Sequence, residues 1–180
     1  MDAFCRLVDK ANEWSGRIVA LLFAPFSILV VVDVFTRYVL NNAWYYIDVN
    51  VQLMGLLIAM GVGYCLLHEG HIGVDILVQN FSTKKRAILN LILAPLFFIG
   101  VGALVWKIGE NALKSVLILE NYTSALGPPI YPFKVFMTLG FSLLFLQGLA
   151  NTIRDFRTVF FNKDYGPQQG NQSFTREIES

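Results

Sequence analysis

The sequence is poor in charge. Only 15% of its 180 residues are Asp, Glu, Lys or Arg, against about 25% in an ordinary soluble domain. The charges it has stand in short clusters between long apolar runs, and 55% of the residues are hydrophobic. That pattern excludes a conventional globular core and describes a chain that crosses a membrane several times. A net charge of +1 offers no basic face for nucleic acid. The two cysteines, Cys5 and Cys65, make no disulfide framework, and Cys65 reads as a small buried hydrophobe. Asp2, Arg6, Asp9, Lys10 and Glu13 interrupt the N-terminal stretch, which therefore does not read as a cleavable signal.

Histidine is equally scarce. His68 and His71 are the only two, with Glu69 and Asp75 close by. Two histidines three apart can share a helix face and invite a metal reading. Gly70 loosens such a helix, however, and no further ligands stand on the same side. A bis-histidine haem needs histidines on facing spans, and the other spans have none. No phosphate-binding glycine loop or nucleophile elbow is present. The expectation is no metal, no cofactor and no enzyme. A small haem- or metal-binding membrane protein and a stand-alone four-span assembly protein are the alternatives.

What the sequence does have is four long apolar segments. Residues 1–15 read as an interfacial amphipathic helix, with Phe4, Leu7, Val8, Ala11 and Trp14 on one side and Arg6, Asp9, Lys10 and Glu13 on the other. The spans follow at about 16–40, 47–67, 87–106 and 133–153, each near the ~20 residues needed to cross a ~30 Å core. Residues 154–180 read as a polar, disordered tail. In the first span Asp33 and Arg37 stand at i and i+4, the favourable order for an ion pair, and are expected to pin helix depth. Trp44, Tyr45 and Tyr46 form an aromatic belt. Asp48, Gln52, Gly55, Ala59 and Gly63 recur every three or four residues along the second span, a polar-to-small seam suited to close helix packing. Gly140, Leu144, Gln147 and Asn151 make a second seam on the fourth.

Pro95 predicts a bend in the third span, and a helical pattern continues beyond it as far as Leu119. Pro128, Pro129 and Pro132 predict an extended approach to the fourth span. His71 and Asp75 are expected either to fix the angle at which the chain leaves the second span, through hydrogen bonds to Asp75, or to dock another membrane subunit. With four spans, one side collects Arg6, Lys10, Arg17, Lys84, Lys85, Arg86, Arg154, Arg157, Lys163 and Arg176, and the other Arg37, Lys107, Lys114 and Lys134. That asymmetry puts both termini in the cytoplasm. The expected fold is an all-α integral membrane protein, four transmembrane helices with an N-terminal amphipathic helix.

Several stretches together resemble one family. Arg37-Tyr38-Val39 ends the first span, Trp44 follows, and Asp48 opens the second. Glu69 to Asp75 (EGHIGVD) is similar to a G-H-x-x-V-D turn, and Pro129 to Lys134 (PIYPFK) precedes Gly140 to Gly148 (GFSLLFLQG). In this order, over residues 15–155, they resemble the small membrane subunit of tripartite ATP-independent periplasmic (TRAP) transporters, the DctQ-type family. Tyr45, Tyr46, Asp48 and Asn50 stand where that family often has a Trp and glutamates. The resemblance implies a subunit of the bacterial inner membrane. It would scaffold a large membrane subunit and help dock a periplasmic substrate-binding protein for sodium-driven uptake of an organic acid. The residues offered to such interfaces, or to the chain's own packing, are Asp33, Arg37, Trp44, Asp48, Gln52, Gly55, Ala59, Gly63, His71, Asp75, Pro129, Pro132, Gly140 and Gln147.

Overall fold

A computed structural model describes residues 2–39, 47–68, 83–121 and 129–161. They form four helices: α1 (Asp2–Tyr38), α2 (Ile47–Leu67), α3 (Thr83–Leu117) and α4 (Tyr131–Phe161). All four are long and apolar enough to cross a membrane. At 1.5 Å per residue the 37 residues of α1 extend about 55 Å, well beyond a ~30 Å hydrocarbon core.

The elements depart from the sequence expectation at their ends. α1 is unbroken across residues 15 and 16 and carries Pro25 inside it, so the amphipathic stretch and the first span are one rod. Of the expected apolar stripe, Val8 is buried while Phe4, Leu7 and Trp14 stay exposed; the face turned to the bundle is Cys5, Val8, Asn12 and Ser15. α3 runs through Pro95 as one helix. Pro132, expected in extended chain, sits in the first turn of α4, where a missing N–H is no loss. The tail expected from Arg154 begins as two further turns of helix, because Thr158 is buried and Arg154 is held by Asp9.

α4 is the hub. It packs against α1, α2 and α3, and α1 packs also on α2; the main contacts of α3 are to α4 alone. Register follows from the side chains that meet. Ala59 lies on Gly140 and Gly63 near Leu144, so α2 and α4 run parallel. Asn12 meets Gln147, and Phe98 meets Phe145 with ring centroids 5.3 Å apart, so α1 and α3 run antiparallel to α4. One end of the bundle therefore holds Asp2 and Phe161; the other holds the α3–α4 hairpin.

Close approach is what the small residues allow. A Cβ on Gly140 would stand 2.6 Å from both the carbonyl carbon and the oxygen of Ala59, and one on Gly148 would stand 2.2 Å from the Phe97 ring. In lipid, where burial against another apolar surface gains little, such contacts carry helix association through dispersion.

The hairpin is closed by its own cap. Leu119 has φ of 49°, the left-handed region usually given to Gly. Its N–H donates to the Val116 carbonyl at 3.2 Å, and the Glu120 N–H to the Ser115 carbonyl at 3.0 Å, the double bond pattern of a Schellman cap. Asn121 then bridges to Pro129, and the Ile130 N–H donates to the Glu120 carbonyl at 3.0 Å.

Candidate functional site

The buried polar side chains gather mainly towards the two ends of the bundle; at the level of Ala59 and Gly140 between them the helices close backbone on backbone, and the Ser15 hydroxyl beside it is spent on the Met60 carbonyl.

At the end holding Asp2 and Phe161, Gln147 is fully buried and uses both ends of its amide. Its Oε1 accepts from Asn12 Nδ2 at 2.8 Å. Its Nε2 donates to Asp9 Oδ1 at 3.0 Å and to Asn151 Oδ1 at 3.2 Å. Asp9 pairs through Oδ2 with Arg154, whose Nη1 donates to Asn151 Oδ1 at 3.3 Å. Asn12 Nδ2 also donates to the Val8 carbonyl at 3.1 Å. A chain of this kind across two helices fixes register as well as proximity, although the buried Asn12 Oδ1, turned towards Gly63, has no partner. Beside it Glu13 Oε2 lies 2.9 Å from His68 Nε2, and the His68 ring lies tilted by 50° against that of Tyr64, centroids 4.3 Å apart. Ser15 donates to the Met60 carbonyl at 2.9 Å.

At the hairpin end, Glu120 Oε2 accepts from Lys134 Nζ at 2.5 Å and from the Ser115 hydroxyl at 2.6 Å. The Lys134 bond first, and the Ser115 bond second, hold the Glu120 carboxyl below its ordinary value. Asp33 is buried, its Oδ2 accepts from Arg37 Nη2 at 2.9 Å, and its Oδ1 has no partner. Gln52 buries both amide atoms without a partner.

The two seams read from sequence meet each other: Ala59, fully buried, faces Gly140, while Gly55 faces Met137 and Gly63 faces Asn12 and Leu144. Asp33 and Arg37 stay together near the end of α1. Pro129 closes the hairpin and Pro132 starts α4. Asp48 stands in the first turn of α2. Trp44, His71 and Asp75 lie outside the described residues. Among the described residues no three His, Cys, Asp or Glu side chains converge as a metal site would require. Sequence reasoning missed the clasp residues: it put Asp9 and Glu13 on the polar side of the first helix and assigned Asn12 no place. A polar Asn12 at helical spacing from buried Val8 and Ser15 is the signal that pointed to them.

Four long apolar helices, small-residue seams and polar clasps towards the ends define a polytopic helical membrane protein. The sequence model of the family described as tripartite ATP-independent periplasmic transporters, DctQ component, matches residues 26–158. The chain belongs to that family, and it is a transport component rather than an enzyme. No curated protein and no solved structure matches it.

Proposed function

We propose that this chain is the scaffolding subunit of a TRAP transporter of the bacterial inner membrane, with both termini cytoplasmic. It holds a large membrane subunit in place and helps seat the periplasmic substrate-binding protein, for sodium-driven uptake of an organic acid. The supporting observation is the closed level where Ala59 meets Gly140 at contact distance, between the clasp at one end and the Glu120–Lys134 pair at the other. A solute route needs polar groups at mid-depth, and a closed bundle is suited to a supporting role. Broad apolar flanks, including Leu21, Phe23, Ile28 and Val31 on α1 and Ile92, Leu96 and Ile99 on α3, are the surfaces a larger partner would cover.

Co-purification tests the reading. Tagged chain should bring down a polytopic permease of about a dozen spans, and deletion of the chain should abolish uptake. Stable isolation alone, with uptake intact after deletion, overturns it. Charge reversals in residues 41–48 and 121–134 should weaken coupling to the binding protein at unchanged expression.

A further inference from the structure

Between α3 and α4 lies a cleft to which the scaffolding role assigns no occupant. It has a volume of about 440 Å³ and is lined by Gly102, Val105, Trp106, Gly109, Glu110 and Leu113 of α3 and by Thr138 and Phe145 of α4, with Lys107 and Lys114 just outside it. Its size lies within the range of small-molecule sites, and its lining is almost wholly apolar. The two glycines shape it: a Cβ at Gly102 would meet only the Phe145 ring, and one at Gly109 only the Thr138 methyl, each at 3.6 Å.

The cleft crosses the depth at which hydrocarbon gives way to headgroups. α3 crosses from Ala87, directly after Lys84, Lys85 and Arg86. Twenty residues at 1.5 Å take it through a ~30 Å core to about Trp106. Trp106, which also borders the cleft, is 75% exposed, as suits a belt tryptophan. Gly102 and Phe145 therefore lie at acyl-chain depth, and Leu113 lies at headgroup depth. There the rim is charged. Glu110 pairs with Lys114 at 2.7 Å and with Lys107 at 3.5 Å, leaving one net positive charge, with both lysines largely exposed.

From this juxtaposition we infer that the α3–α4 cleft binds one anionic glycerophospholipid, an acyl chain lying over Gly102 and Gly109 and the phosphate resting against Lys107 and Lys114. The phosphate takes up the surplus positive charge, and exposed ammonium groups can reach it without losing water. An apolar helix from a protein partner would have to desolvate the same three charges. The inference needs only the membrane-spanning fold and stands whether or not the chain scaffolds a permease.

The test is native mass spectrometry of the full-length chain, exchanged in detergent against equal amounts of phosphatidylglycerol, phosphatidylethanolamine and phosphatidylcholine with matched acyl chains. One phosphatidylglycerol per chain should be retained in preference to the other two. Lys107→Gln and Lys114→Gln should each lower that retention about fivefold, the value of one lysine near a charged lipid surface, and leave phosphatidylcholine unaffected. Gly109→Leu should fill the cleft and lower retention of all three lipids; the lysine variants, outside the apolar packing, carry the test if it fails to fold. Equal retention of the three lipids, or lysine variants indistinguishable from the parent, overturns the inference. So does a photo-crosslinker placed at Trp106 in native membranes that yields a protein adduct in place of a lipid adduct.

Discussion

Gly140 rests on the backbone of Ala59 so closely that a methyl group there would stand 2.6 Å from its carbonyl carbon and oxygen. Backbone cannot swing aside as a flexible side chain can, so α2 and α4 must separate to admit any larger residue. Gly140→Ala is expected to destabilise the bundle by about 1–3 kcal/mol, the range for overpacking a tight contact, and Gly140→Leu by more. Thermal unfolding in detergent, followed by loss of helical signal, measures both. A Gly140→Ala variant as stable as the parent would show that the helices are not in contact at this level.

Gln147 serves three partners at once, and while Asn151 Oδ1 keeps its Arg154 donor without it, the other two each lose a cross-helix bond. Gln147→Leu leaves the Asn12 amide without its cross-helix acceptor and Asp9 Oδ1 without its donor. The expected loss is about 1–3 kcal/mol, the range for unsatisfied buried polar groups. Asn12→Leu combined with Gln147→Leu should recover part of it, since replacing both partners removes the orphan. A double-mutant cycle on thermal stability reads the coupling directly.

Asp9 and Arg154 are paired at the edge of the same network, with about a quarter of each side chain exposed. Asp9→Asn should therefore lose less than a fully buried pair, about 1–2 kcal/mol. Its structural signature should be earlier hydrogen exchange along Arg154 to Phe161. If exchange there is unchanged, the last turns of α4 hold without Asp9.

The hairpin end should respond to acid. The Glu120 carboxyl is held below its ordinary value by Lys134 and then Ser115. A depressed carboxylate contributes stability that is present above its unfolded pKa, near 4.5, and lost as pH falls through the lower folded value. Protection at residues 116–121, taken relative to intrinsic exchange at the same pH, should fall below about pH 4.5 in the parent. Glu120→Gln should exchange faster at neutral pH and lose the acid step.

Leu119 occupies the cap position in a left-handed conformation and is largely exposed. A side chain there carries roughly 1 kcal/mol of strain that Gly avoids. Leu119→Gly should be neutral to slightly stabilising in thermal unfolding, whereas Leu119→Val, β-branched, should destabilise.

Hydropathy made the four helices legible, because length and the absence of charge decide whether a segment can cross a membrane. The seams were legible too, since small residues every third or fourth position mark a face. What the pattern did not give was the partner of each seam; that depends on helix order and rotation, which a single helix does not encode. The ends were misjudged for a related reason. Asp9, Asn12 and Glu13 look solvent-facing when α1 is read alone; Gln147 and Arg154 of α4 engage the first two, and His68 at the end of α2 engages Glu13. Residues 154–161 look like the start of a tail until Asp9 is available to hold Arg154.

The clasp also has a timing. Asp9 is paired with residues 138 and 145 positions further along the chain, so the first turns of α1 are synthesised long before their counterparts. Until the ribosome has delivered α4, those turns carry unmatched polar groups beside the bilayer. Assembly of the bundle is thereby a late event, sealed only when α4 arrives.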